Sequence, residues 1–363
     1  MFTTIHFQGK KLLEGIYSVF GKDTNVLGCT GYGVITKQGV FKYGVAIMAI
    51  YSTKIKFSFG SSPEIDKIGP QRSGEQFALS ALEQLGKSAK EMSIIFSDGL
   101  IEKSSEMLLG IKGTLGRSFP IIGASAADNL LFQKTYQYFN REVLNNALVG
   151  TILSGEVTFG YGIKHGWQPL GRPHTVTLSL GNIMREIDGE PAINIYKNYF
   201  KKSEQEIKSL LGRISILYPL GVHLIDEEEY LLRNVLRIDA GGGLVCQGEV
   251  PLESEVRIML GTQQSALQAA KQAVEQAMNV FEHTPLLGAI IFESASRINL
   301  LGHRVIEELN IIKNALGENV PLIGVCTYGE QAPLQSLEYQ GSSHCHNETI
   351  AIITLGEKVV FIE

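Results

Sequence analysis

The chain repeats itself, and that repetition constrains its fold more than any other feature. "PIIGASAADN" at residues 120–129 returns 201 positions later as "PLIGVCTYGE" at 321–330. The match continues on either side. "NNALVGTILSG" (145–155) faces "HNETIAIITLG" (346–356) at the same offset, and "SIIFSDG" (93–99) faces "AIIFESA" (289–295) at an offset of 196. These runs are rich in β-branched residues and close on small ones, the signature of buried strands. The segments between them, "IEKSSEMLLGIKGTLG" and "LGHRVIEELNIIKNALG", carry apolar residues at three-to-four spacing and end in Gly, as amphipathic helices do.

A second helix precedes each of these units. "SGEQFALSALEQLG" (73–86) opens with Ser73 and Gln76 at capping-box spacing, and its counterpart is "QSALQAAKQAVEQAMNVF" (264–281). Each follows a strand-like run ending in Gly, "IKFSFG" (55–60) and "VRIMLG" (256–261). A truncated third copy stands at the front. "KLLEGIYSVFGKDTNVLGCTGYG" gives a helix, a Gly turn and Gly28, then "YGVAIMAI" as the returning strand. Tyr32-Gly33 falls where Tyr328-Gly329 falls in the last copy. With only about two dozen residues before "GCTGYG", the first edge strand is expected to be thin or missing.

Repeated strand-helix-strand units predict a mixed α/β fold, with internally duplicated units forming two related sheet-and-helix domains. Between the copies, "GYGIKHGWQPLG" and "HTVTLSLGNIMREIDGEPAINIYKNYF" predict strands, an Asp188-Gly189 turn and a helix begun by Pro191. "SEQEIKSLLG" adds a capping box, Ser203 with Glu206. The boundary is placed near residue 195, giving domains 1–195 and 196–363.

At 363 residues and 44% hydrophobic, the chain is long enough for more than one core. A net charge of −5 and a pI near 6.0 give no electrostatic case for nucleic acid or an anionic membrane. No apolar run approaches a membrane span, and the N-terminus lacks signal-peptide layout. Four scattered cysteines (29, 246, 326, 345) fit a reducing, cytoplasmic setting.

Small residues after a buried strand let the backbone turn sharply and aim short polar groups at a cavity. The three tips supply Cys29 and Thr30, then Ser125, Asp128 and Asn129, then Cys326, Thr327, Tyr328 and Glu330. These are the candidate ligand-binding residues; the alternative is that Gly and Ala serve only close packing. "GCTGYG" and the glycine run "AGGGL" lack the rest of a nucleotide fingerprint and read as turns. "HCH" at 344–346 puts two imidazoles on one strand face, with no second cluster to complete a tetrahedral metal set. His165 stands beside Trp167 among glycines. No motif ties Cys29 or Cys326 to a base, so a binding protein is expected rather than an enzyme, with a strand-tip Cys nucleophile as the rival.

Together "GCTGYGVIT", "PIIGASAADN", "GYGIKHGWQPLG", "EIDGEPAINIY", "GEVPLESEVRI", "PLIGVCTYGEQAP" and "HNET" resemble, in order, the FIST family over roughly residues 25–350. The resemblance implies an N-terminal and a C-terminal part of an intracellular sensory module. It also implies a small ligand, with amino acids proposed, and signalling to histidine kinases, chemoreceptors or cyclic-di-GMP enzymes. The chain shows no output domain, so a separate partner, a histidine kinase or cyclic-di-GMP enzyme, is expected, with a homodimer as a candidate assembly. Stand-alone members include haem-binding nitric oxide sensors, which makes haem a candidate cofactor with His165 first and His346 second as axial ligand.

Overall fold

A computed structural model describes residues 1–7, 9–224, 229–282, 284–334 and 341–358. Two six-stranded sheets share one strand order. The first runs Ser343–His346, Gly329–Pro333, Ile121–Ser125, Lys90–Ser97, Leu148–Gly155, Ile55–Ser62. The second runs Gly39–Phe41, Gly33–Thr36, Leu322–Thr327, Leu286–Ser294, Ile350–Glu357, Val157–Lys164. In each, the third and fourth strands are parallel and the other pairs antiparallel. A five-stranded sheet repeats the order without its last strand: Glu142–Leu144, Gln137–Phe139, Leu27–Gly31, Phe2–Thr4, Val45–Ala46.

The registers superimpose residue by residue. Thr3, Ser97 and Glu293 pair with Thr30, Ser125 and Cys326. The next amides, Thr4, Asp98 and Ser294, donate to Gly44, Ala147 and Thr349 at 3.0, 3.0 and 2.9 Å. The chain therefore holds three copies of one unit, the first cut short. Its first strand is three residues long, and its returning strand shrinks from "YGVAIMAI" to Val45–Ala46. The pairing of Ala147 with Thr349 also moves the last strands one residue off the 201 offset, because the third copy has an extra residue before its final strand.

Each unit gives its hairpin away. The first unit's Gly33–Thr36 and Gly39–Phe41 pair onto Leu322–Thr327 of the third. The second unit's Gln137–Phe139 and Glu142–Leu144 pair onto Leu27–Gly31 of the first. The third unit's Gly329–Pro333 and Ser343–His346 pair onto Ile121–Ser125 of the second. The donation closes a ring, so no unit completes a sheet alone, and strands from both sides of residue 195 share sheets. Where the three units meet, Phe2, Phe96 and Phe292 occupy equivalent positions and pack edge to face, with centroids 5.5, 6.3 and 5.8 Å apart.

The helices cover the outer faces. Pro70–Leu85 begins three residues before the proposed Ser73 cap, with Pro70 in the first turn; the Ser73 hydroxyl instead donates back to Gly69 O at 2.9 Å. Gln263–Met278 opens with a Thr262–Ser265 capping box. Its alanine stripe lies against Gly160 and Gly162, where a Cβ would sit 2.0 Å from Ala277 O and 1.9 Å from Ala273 O. The "GYG" pattern thus exists so that the helix can approach the strand closely.

That contact also corrects the assignment of "VRIMLG". The edge position held by Ile55–Ser62 is taken in the third unit by Val157–Lys164, while Glu255–Leu260 belongs to an eight-stranded sheet inserted between that strand and its helix. Both runs have the same strand chemistry, so composition could not separate them. The inserted region carries helices Asn194–Phe200 and Glu204–Leu217, the latter with the expected Ser203–Glu206 capping box. Asp188 and Gly189 are both left-handed (φ 52° and 78°), as a two-residue hairpin turn requires. Pro191 pairs with Glu186 in that hairpin rather than opening a helix, which begins at Asn194. Among the described residues, no helix is long and apolar enough to cross a membrane.

Candidate functional site

The hairpin ring brings the three strand tips to one junction. Tyr32 N donates to Cys326 O (2.8 Å), Tyr328 N to Ser125 O (3.0 Å) and Ala127 N to Thr30 O (3.0 Å), so each tip is bonded to another unit. Thr30 Oγ1 accepts from Tyr136 N at 3.0 Å. Ser125 receives the Gln331 amide at 2.8 Å and faces Ser97 at 3.2 Å.

Asp128 organises the outer side of the junction. Its carboxylate accepts the Tyr328 hydroxyl (2.6 Å) and the amides of Phe132, Gln133 and Lys134 (2.9, 2.6 and 2.8 Å). Burial works against the charge, but these four donors outweigh it and hold the carboxyl below its usual range. The loop they fix is bent through left-handed backbone at Asn129, Leu130 and Phe132 (φ 62°, 62° and 51°), uncommon for such side chains. Leu130, Leu131 and Phe132 are exposed, and the Phe132 ring stacks on Tyr328 at 4.7 Å.

Acidic groups fill the inner side. Glu330 is fully buried, accepting from Thr327 and Thr349 at 2.5 Å each; burial pushes its carboxyl up to about 8. Glu293 and Glu308 flank Arg297, whose guanidinium also reaches His165 O (2.5 Å) and Ala266 O (3.0 Å). The guanidinium is fully engaged by the fold. Burial, and then repulsion from Glu308, raise Glu293 against the pull of Arg297. Glu348 differs from all of these. It is buried in left-handed backbone (φ 58°), and neither carboxyl oxygen has a partner within 3.5 Å, although the Asn234 and Ser296 side chains stand close enough to act on it as hydrogen-bonding groups. Burial pushes it up to about 8, offset in part by the nearby Asn234 and Ser296. Asn234 Oδ1 is likewise buried and unbonded.

The remaining candidates behave differently. Cys29 packs in the axial core with Phe2 and Val34, and burial pushes its thiol up to about 12; Cys326 is raised well above its ordinary value. A nucleophilic cysteine needs a lowered pKa, and neither thiol has one. His165 Nδ1 accepts from Trp167 N (2.9 Å), and His346 Nε2 donates to Ala332 O (2.9 Å). Desolvation drives both down to about 3, so both are neutral. Ligation through either of these nitrogens would first break that bond. Neither histidine lines the cavity of about 630 Å³ that opens at the opposite ends of the strands. That cavity therefore offers no haem pocket with either histidine as its axial ligand. No group of three or more His, Cys, Asp or Glu is arranged to hold a metal ion among the described residues.

Arg297, Glu293, Glu308 and Glu348 were not singled out from the sequence. Glu293 and Arg297 stand four apart, but across a strand–helix junction where that spacing carries no helical meaning. Glu348 lies within "HNET", and only its burial marks it.

Comparison with known proteins gives two family matches. The FIST N domain matches residues 1–190 and the FIST C domain residues 192–333. An uncharacterized protein of Methanocaldococcus jannaschii is 32% identical over 142 residues, covering 36% of this chain and 27% of that protein. Uncharacterized proteins from two Mycobacterium tuberculosis strains are 26% identical over 216 residues, covering 58% of this chain and 54% of theirs. The chain thus spans about a quarter to about half the length of these curated relatives. A PurLQS structure from Thermotoga maritima aligns over 84% of this chain and 72% of that one at 9% identity and a TM-score of 0.24, too low to bear on function.

Proposed function

The chain belongs to the FIST family of sensory signal-transduction domains, and from that premise we propose that it binds a small amino-acid-like molecule at the strand junction and reports occupancy to a separate protein. A histidine kinase or a cyclic-di-GMP enzyme is the partner this reading favours. The observation that carries it is Glu348, a buried carboxyl with no partner within 3.5 Å of either oxygen and with the Asn234 and Ser296 side chains close by. Buried polar groups are satisfied in nearly all folded proteins, so a carboxyl with no partner within 3.5 Å, acted on by Asn234 and Ser296 alone among hydrogen-bonding side chains, leaves room for a stronger donor. The ammonium of an amino acid supplies one: three N–H donors and a charge that offsets the cost of ionising Glu348 in a dry site.

The neighbouring candidates suit a reporter. Glu330 sits on the hairpin that the third unit lends to the second, Thr327 and Tyr328 lead into it, and Ser125 and Asp128 receive it. A ligand acts on a protein only by binding one arrangement better than another. A charge settling beside that hairpin would bias the Tyr328–Asp128 contact and the strained, exposed loop it holds, which offers Leu130, Leu131 and Phe132 to a partner.

A thermal-shift panel of amino acids and simple amines tests the proposal. One or more ammonium compounds should raise the melting temperature of the wild type and leave Glu348→Gln unmoved. A panel that stabilises neither protein, or both alike, would refute it.

A further inference from the structure

The cavity at the other end of the units lies beside the first unit's three-residue strand. The second and third units send long strands past the Phe2–Phe96–Phe292 contact, of eight and nine residues against three. The first unit also lacks the edge strand that the others have in Ile55–Ser62 and Val157–Lys164. The inner faces of two sheets therefore extend beyond the reach of the third. What remains is a space of about 630 Å³, within the roughly 300–1,000 Å³ of small-molecule pockets.

Its walls are Phe57, Phe59, Ile94, Ile290, Ile323 and Leu355, under a roof of Phe2 and Phe96. On the first unit's side it is closed by Ile16 and Phe20 of the Lys10–Phe20 helix, by Met1 and residues 23–27, and by residues 47–51, which form no regular structure. Phe20, Ile47, Ile50 and Tyr51 at that mouth are exposed. No Lys, Arg or His lines the space, and Asp23 at the rim is the one charged side chain. The Met1 amine is already bonded to Leu27 O at 2.8 Å, and burial holds it down to about 6. Of the uncharged polar side chains in the lining, Thr24 and Thr151 already donate to Phe20 O (2.8 Å) and Ser58 O (3.2 Å), and Asn25 at the rim is the further one.

We propose that this cavity is a second binding site, for a neutral, largely apolar small molecule such as an aliphatic alcohol or an aromatic ring system. Burial of apolar surface supplies the affinity. An anionic headgroup finds no cation and meets Asp23, so charge selects against fatty acids of the same length. The strand junction lies about four residues along the strands, or roughly 13 Å away. The inference does not rest on the function proposed for Glu348.

Titration of the full chain with the neutral fluorophore 1-aminoanthracene, followed by competition, is the test. Emission should rise saturably and be reversed at least tenfold more effectively by 1-decanol than by decanoate. Ile290→Phe fills the space from inside and Ala49→Trp blocks its mouth from an exposed position; each should weaken the probe at least tenfold. Should Ile290→Phe fail to fold, Ala49→Trp decides alone. Unsaturable emission, unchanged affinity in a folded Ala49→Trp protein, or equal competition by decanoate would overturn the proposal. So would loss of self-association in Ala49→Trp without any probe binding in the wild type. Glu348→Gln should bind the probe as the wild type does, which separates failure here from failure at the junction.

Discussion

The Tyr328 hydroxyl donates to Asp128 Oδ1 at 2.6 Å, joining residues 200 positions apart. It is where the third unit's lent hairpin grips the second unit's tip, and where a strained loop is tied to the sheet. Tyr328→Phe keeps the ring stack and removes the hydroxyl. The loss should cost about 1.5–3 kcal/mol, as for a hydrogen bond to a charged group. Amide exchange at residues 132–134 should speed up more than elsewhere. Unaltered protection there, read by hydrogen exchange with mass spectrometry, would show that the contact does not hold the loop.

Arg297 bridges two buried carboxyl groups with a single positive charge, so its removal leaves Glu293 and Glu308 facing each other in a dry core without it. Arg297→Met should destabilise by about 3–5 kcal/mol. The triple variant with Glu293→Gln and Glu308→Gln should regain most of that loss in denaturant melts. A triple variant no better than the single one would mean that packing, not charge, sets the cost.

Gly162 leaves no room for a side chain, since a Cβ would sit 1.9 Å from Ala273 O. Gly162→Ala should cost about 1–3 kcal/mol through overpacking. Gly113, with open space around it on a helix, serves as the control: Gly113→Ala should be neutral or stabilising.

Stability should fall as the pH rises from about 6.5 to 8. Glu330 and Glu348 are raised to about 8, so the folded protein holds their protons more tightly than the unfolded chain does. Their contribution is complete below the unfolded carboxyl pKa and is lost as pH climbs through about 8. His165 and His346, lowered to about 3, act the other way, losing stability as pH drops below about 6.5; above that they are silent. The Met1 amine, lowered to about 6, opposes the fall by one proton. Comparing wild type with Glu330→Gln/Glu348→Gln cancels that term. The difference between them should change by about 2 kcal/mol per carboxyl across this window, and a constant difference would contradict the assignment.

The strands of the repeat were legible because β-branched runs kept their spacing, so Ser97 with Glu293 and Ser125 with Cys326 aligned from the text alone. The hairpin ring was not. Gly33 pairs with Cys326 and Gln137 with Cys29, long-range choices on which local pattern is silent. The polar strand tips stand out in the text as small residues followed by short polar ones, and in the fold Asp128 and Tyr328 meet across two units there. Glu348 escaped because a buried carboxyl with no partner within 3.5 Å is a fact of packing rather than of spacing. The cavity escaped because its lining comes from widely separated stretches of chain, from Met1 to Leu355, that only the folded packing brings together.

Calorimetric titration at pH 7 with the ammonium compound that most raises the melting temperature tests the central claim most directly, run in buffers of different ionisation enthalpy. Glu348 is protonated when empty and should ionise against the ligand's ammonium. The wild type should therefore release close to one proton per ligand bound, and Glu348→Gln should release none and bind at least tenfold more weakly. Equal affinity in the two proteins, with no proton released by either, would contradict a ligand site at Glu348.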